Sequence, residues 1–169
     1  GEVRGFSKEE RSTLDTTGPI IRASSTLPIR MPPVDIDGDI YVDGALGPNG
    51  GLPFEQPLRE GYRKLLVVLT RPRDYVKGPM PASVGALLRT AYRQFPSVFE
   101  GVARRPDRYN AGRRFLFELE ERGQAYVFAP DNLWINNTES RRERLEATYR
   151  AGLVQAVREM PAIKAFLGL

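Results

Sequence analysis

The chain has 169 residues, 41% of them apolar and 27% charged, which suits one globular domain with a core of useful size. It contains no cysteine and no histidine. That excludes disulfides, thiolate nucleophiles, Cys- or His-ligated metal sites and a Ser-His-Asp triad, and leaves acid–base work to Asp, Glu, Lys or Tyr.

The net charge is +4 and the pI about 9.6. The arginine pairs Arg104-Arg105, Arg113-Arg114 and Arg141-Arg142 are scattered and interleaved with acids. Such a pattern suits solvated helical faces better than a nucleic-acid footprint.

In chain order, Ser7-Lys8-Glu9-Glu10 reads as a capping box opening a short helix. Thr17-Gly18-Pro19 restarts the chain, with Pro19 suited to a first helical position and Ile20, Ile21 and Ala23 as the apolar part of a second short helix. Ser24-Ser25-Thr26-Leu27-Pro28 ends it, because a residue before proline avoids the helical region. Residues 34–42 predict a hairpin, two alternating runs flanking Asp37-Gly38, with the second arm delivering Asp43 to its end.

Residues 44–53 form a glycine-rich loop without phosphate-loop spacing or its lysine. A short helix or turn over 57–62 precedes the longest apolar run, Leu65-Leu66-Val67-Val68-Leu69. That run is far too short to cross a bilayer and predicts a buried strand over 64–70, parallel in its sheet.

Val84, Leu87, Leu88, Ala91 and Phe95 mark one face of a helix that Pro96 stops. A short helix through Val98, Phe99 and Val102 follows. Asp107 then caps another helix, which buries Phe115, Leu116 and Leu119 and ends at Gly123. Residues 124–129 predict a second buried strand. The last long helix starts at Thr138 or Ser140, carries Leu145, Tyr149, Leu153 and Ala156 on one face, and breaks at Pro161. Trp134 and Tyr149 read as packing residues. No internal repeat or low-complexity linker appears. The order strand–helices–strand–helix implies α/β architecture.

The central stretch is Ile40-Tyr41-Val42-Asp43-Gly44-Ala45. An aspartate at a strand end beside a glycine is either an ordinary Asp-Gly turn or a carboxylate held where α/β proteins often keep a reactive group. On these residues alone the turn is favoured. Read with Ala23-Ser24-Ser25-Thr26-Leu27-Pro28 and Pro32-Pro33-Val34 before it, the order resembles the C-terminal half of a bacterial patatin-like phospholipase. The resemblance continues through the run 65–70, Glu120-Glu121-Arg122-Gly123, the strand Ala125-Tyr126-Val127-Phe128, and a helix carrying Leu145, Tyr149 and Gly152. It covers nearly the whole chain and is densest from Ile20 to Tyr75.

The resemblance implies a three-layer α/β fold with a mostly parallel sheet flanked by helices, and a short hairpin before the Asp-Gly-Ala motif. It implies hydrolysis of acyl esters of lipids by a Ser-Asp dyad, with Asp43 as the base and Gly44 and Ala45 as the rest of its motif. No cofactor and no metal are implied. The expected partners are a lipid or acyl-ester substrate and a membrane surface touched transiently, with no nucleic acid, and the expected place is the cytoplasm or its membrane periphery.

The chain departs from the family in two respects: the glycine-rich loop that the resemblance gives the oxyanion donors is absent, and so is the nucleophile elbow. No Gly-x-Ser-x-Gly occurs: Gly5-Phe6-Ser7-Lys8-Glu9 lacks the second glycine, and Pro81 stands where Ser83 would need the first. With Gly1 in place of a methionine and no signal-peptide pattern, the expectation is the C-terminal portion of one longer domain, with the nucleophile in an N-terminal portion that remains associated. Within it, residues 1–78 carry the Asp-Gly-Ala region and central strand, and 79–169 a C-terminal extension. The alternatives are a non-catalytic interaction module of the same fold and, less favoured, an arginine-rich nucleic-acid binder.

Overall fold

The computed structural model describes residues 2–7, 13–136 and 138–169. The capping box expected over Ser7 to Glu10 lies outside the described residues. Helices make up about half of the chain, with two small sheets, one of them parallel, so the protein is mixed α/β. It divides into two compact units, residues 1–53 with 77–113, and residues 54–76 with 114–169.

The first unit opens with α1 (Leu14–Ser24), a single helix. Thr13 caps it, exchanging hydrogen bonds with Thr16 in a capping box. Pro19 lies inside this helix and does not start it. A proline there removes one backbone donor, but Thr13 has already nucleated the turn before it. The C-terminus ends where the proline rule places it, with the Ser25 hydroxyl donating to the Ile21 carbonyl at 2.8 Å and the Thr26 hydroxyl to the Arg22 carbonyl at 2.7 Å.

The hairpin of β1 (Val34–Ile36) and β2 (Asp39–Tyr41) is antiparallel, pairing Ile36 with Asp39 across Asp37-Gly38. Both turn residues have positive φ, 57° and 89°. A two-residue primed turn requires this, and Asp-Gly supplies it. Ala23, Val34 and Ile36 form a buried cluster, packed by Ile20 and Tyr41.

Helix α2 (Glu55–Arg59) belongs to the second unit, and α3 (Ala82–Ala91) to the first. Pro96 does not stop α3, which ends at Ala91; it is the first residue of α4 (Pro96–Glu121). That position suits proline, since its missing N–H is one the first turn leaves unbonded anyway. The two shorter helices expected here are one helix of 26 residues, with Pro106 inside it, so Asp107 is not a cap.

In the second unit β3 (Leu65–Val68) pairs in parallel with β4 (Ala125–Phe128), Leu65 opposite Ala125 and Val68 opposite Phe128. The parallel pairing is as the apolar run predicts. Burial on both faces is not: Leu66 and Val68 are 42% and 66% exposed. The two strands make the whole sheet among the described residues, so one face of β3 lacks the cover a parallel strand expects.

Gly123, with φ 70°, ends α4. Gln124 N–H returns to the Leu119 carbonyl at 2.8 Å, and Gly123 N–H to that of Glu120 at 2.9 Å. Leu116, Leu119, Val127, Ala129 and Ile163 are buried. The last helix, α5 (Arg142–Leu167), starts after Arg141 and continues through Pro161, which does not break it. Leu145, Tyr149 and Leu153 do share a helical face, but it is exposed. Tyr149 and Trp134 are 71% and 56% exposed, so neither is a core residue of this chain.

Candidate functional site

Asp43 stands two residues beyond the end of β2 and caps a 3-10 turn over Gly44–Leu46, its Oδ1 accepting from the Ala45 N–H at 2.8 Å. Its own N–H donates to the Thr26 carbonyl at 3.1 Å. Thr26 is fully buried. The Ala-Ser-Ser-Thr-Leu-Pro segment and the Asp-Gly-Ala motif are therefore held together through the backbone. Asp43 is partly buried, and among the described residues its Oδ2 has no hydrogen-bond partner.

The turn at Gly44 does not use a positive φ, and a Cβ built there would meet nothing within 4 Å. The space above Gly44 is open, as a glycine approached by another group would have it. Ala45 has a stricter setting: its Cβ lies 3.0 Å from where a Cβ on Gly51 would stand. Gly50 is packed harder still. A Cβ there would sit 2.6 Å from the Tyr109 backbone nitrogen, and its φ is 63°. The Arg108 guanidinium donates to the Leu46 carbonyl at 2.9 Å and Arg105 Nε to the Gly50 carbonyl at 3.4 Å. These contacts fasten the glycine-rich loop to the first half of α4.

Asp43 lies on the wall of a cavity of about 190 Å³ within the first unit. Leu46, Val84, Leu88 and Val102 supply apolar lining from the loop, α3 and α4. Leu27, Pro28 and Ile29 supply more from the segment after α1, and the polar lining is Asp43, Arg30 and Arg105. Apolar walls with a few placed polar groups are the usual make-up of a small-molecule site.

The segment 27–31 is a turn closed by the Met31 N–H donating to the Leu27 carbonyl at 3.0 Å. Within it Ile29 has φ 73°, a strained value for a β-branched residue, and its N–H donates to the Tyr92 hydroxyl at 3.0 Å.

No serine lines the cavity. Ser25 is engaged with Ile21, and Ser83 is on the exposed side of the first turn of α3. The sequence reading singled out Asp43, Gly44 and Ala45 and missed Arg30, Arg105 and Ile29. The arginines look like any others on a basic chain, and nothing local marks a positive φ at an isoleucine. Among the described residues no group of three or more acidic side chains stands close enough to hold a metal ion.

A family model described as a domain of unknown function (DUF6363) matches residues 95–168. This is less than half of the chain, covering α4, β4 and α5, and it leaves the Asp-Gly-Ala motif outside. No curated protein and no solved structure matched the chain.

Proposed function

We propose that this chain is part of a patatin-like serine hydrolase acting on acyl esters of lipids, with Asp43 as the base of a Ser-Asp dyad. The supporting observation is the setting of Asp43. One carboxylate oxygen is fixed by the Ala45 N–H, the other has no hydrogen-bond partner among the described residues, and Asp43 lines a cavity whose walls are mostly apolar. A base needs this combination: an orientation held by a second group, and a lone pair free to take a proton. The open space over Gly44 leaves room for a hydroxyl to approach.

In this reading a serine outside the cavity lining described above attacks the ester carbonyl. The hydroxyl proton passes to Asp43 Oδ2 as the Oγ–C bond forms, and returns to the leaving alkoxide. The three-layer fold, the nucleophile and the oxyanion donors belong to the same proposal.

The test is Asp43→Asn in the full-length protein. An amide keeps an oxygen that accepts from the Ala45 N–H, so the 3-10 turn and the fold are retained. It cannot take the serine proton, and turnover of a short-chain acyl ester falls by about a hundredfold to ten-thousandfold. Near wild-type turnover by a folded mutant removes Asp43 from the reaction. A second reading, a non-catalytic interaction module, is favoured by the exposed apolar residues Leu145, Tyr149 and Leu153 of α5. It predicts no ester turnover even before Asp43 is changed.

A further inference from the structure

We infer that Arg30 and Arg105 form an anion-binding subsite on the wall of the Asp43 cavity, so that its ligand is an amphiphile with an apolar tail and an anionic head. The inference rests on the reading of this cavity as a ligand site.

Two guanidiniums and one carboxylate line a small cavity whose other walls are apolar. Neither arginine has a carboxylate partner among the described residues. Arg73, Arg141, Arg142, Arg144 and Arg158 are ion-paired, while Arg22, Arg63, Arg93 and Arg104 also lack a carboxylate partner among the described residues; what sets Arg30 and Arg105 apart is that both line this cavity. Asp43 neutralises neither arginine, since no ion pair joins them, and its Oδ1 is committed to Ala45. The cavity lining therefore carries a surplus of positive charge beside an apolar wall, with Arg105 half-buried and Arg30 exposed at the rim.

The Arg105 side chain is held by a backbone carbonyl, and the Arg30 backbone follows a constrained turn. Arg105 is held through Nε by the Gly50 carbonyl, which leaves its terminal nitrogens for other acceptors. Gly50 is itself wedged against the Tyr109 backbone. Arg30 follows Ile29, whose left-handed conformation is fixed by Tyr92 and by the 27–31 turn. A planar guanidinium recognises phosphate and carboxylate through paired N–H donors, and such charge-assisted bonds are the strong ones. The tail has Leu46, Val84, Leu88 and Val102 to lie against.

Calorimetric titration of the chain with decyl phosphate, decanol and inorganic phosphate tests this without requiring turnover. Decyl phosphate is expected to bind at least about tenfold more tightly than decanol, the size of one charge-assisted hydrogen bond. Arg105→Gln and the exposed Arg30→Gln should each reduce that preference severalfold while leaving decanol affinity unchanged. Unchanged decanol binding also shows that each variant is folded, and Arg105→Lys should retain part of the preference.

Inorganic phosphate alone is expected to bind far more weakly than decyl phosphate. If it binds as tightly, the site takes a free anion and the amphiphile is wrong. Equal binding of decyl phosphate and decanol, binding of neither, or a preference that survives Arg30→Gln and Arg105→Gln combined would overturn the inference. Loss of the arginine effect alongside a silent Asp43→Asn mutant sinks the subsite alone. Active Asp43→Asn with the preference intact sinks the proposed reaction alone.

Discussion

Ile29 and Gly50 adopt similar backbone angles, φ 73° and 63°, yet their substitutions should behave in opposite ways. An L-residue in the left-handed region costs about 1–2 kcal/mol, which glycine does not incur. Ile29 is 42% exposed, so Ile29→Gly gives up little burial. The mutant should unfold within about 1 kcal/mol of wild type, whereas truncating a buried isoleucine costs about 2–5 kcal/mol. At Gly50 the added methyl of Gly50→Ala would stand 2.6 Å from the Tyr109 nitrogen. With the strained φ, this should cost about 2 kcal/mol or more. Urea unfolding of the two mutants checks both expectations. A large loss for Ile29→Gly would mean its side chain is held by packing; a neutral Gly50→Ala would mean the loop yields. Only one of the two positions was open to anticipation: a glycine-rich loop advertises close approaches, while a strained isoleucine has no signature in the residues beside it.

At the scale of elements, the hairpin was readable because its cause is local: Asp37-Gly38 supplies the two positive φ values, and the alternation on either side sets the register. The helix boundaries were not, because three prolines, Pro19, Pro106 and Pro161, all lie inside helices. Local rules read Pro19 as a helix start, Asp107 beside Pro106 as the cap of a new helix, and Pro161 as a break, because an interior proline costs about 3 kcal/mol; each of these helices absorbs that cost.

Equally invisible was how β4 is tied to α4. Arg73 donates to both Glu120 oxygens, at 2.7 and 2.8 Å, and to the Val127 carbonyl at 2.8 Å, while Glu120 Oε1 also accepts from the Val127 N–H at 2.8 Å. Burial pushes the Glu120 carboxyl up, but the hydrogen bonds from Arg73 and Val127 outweigh it and leave it below the usual range. At the start of α5, the hydrogen-bonded Arg141 guanidinium holds Glu139 down at about 2, with help from the Arg141 N–H and the charge of Arg144. Both groups have folded values below their unfolded ones. Their contribution is therefore present above about 4.5 and is lost as pH falls from there toward 2. The urea midpoint should drop across that window. Glu120→Gln should lower the unfolding free energy at neutral pH by about 1 kcal/mol for a partly exposed pair, and should flatten the acid dependence. An unchanged acid slope in that mutant would show that other carboxylates control it.

For the molecule as a whole, the sheet of the second unit leaves the clearest unmet demand. A two-stranded sheet is marginal by itself, and parallel strands are normally covered on both faces. Here the sheet is β3 and β4 alone among the described residues. Glu120 and Arg73 occupy the Val127 backbone of β4, but β3 ends the sheet on its other side with Leu66 and Val68 exposed. Helix α5 adds Leu145, Tyr149, Leu153, Val154 and Val157, all exposed. No helix among the described residues is long and apolar enough to cross a membrane, so these side chains are not a spanning segment. An open strand edge beside apolar surface favours pairing with another chain. The purified chain should therefore run above its 19.0 kDa monomer mass in light scattering after gel filtration, or precipitate as its concentration rises. Val68→Lys places a charge on the exposed face of the edge strand, where it opposes association at little cost to the fold, and should shift the distribution toward monomer. A monodisperse monomer of the unmodified chain would show that β3 and α5 tolerate their exposure, and would remove the physical case for a further strand or a second copy at that edge.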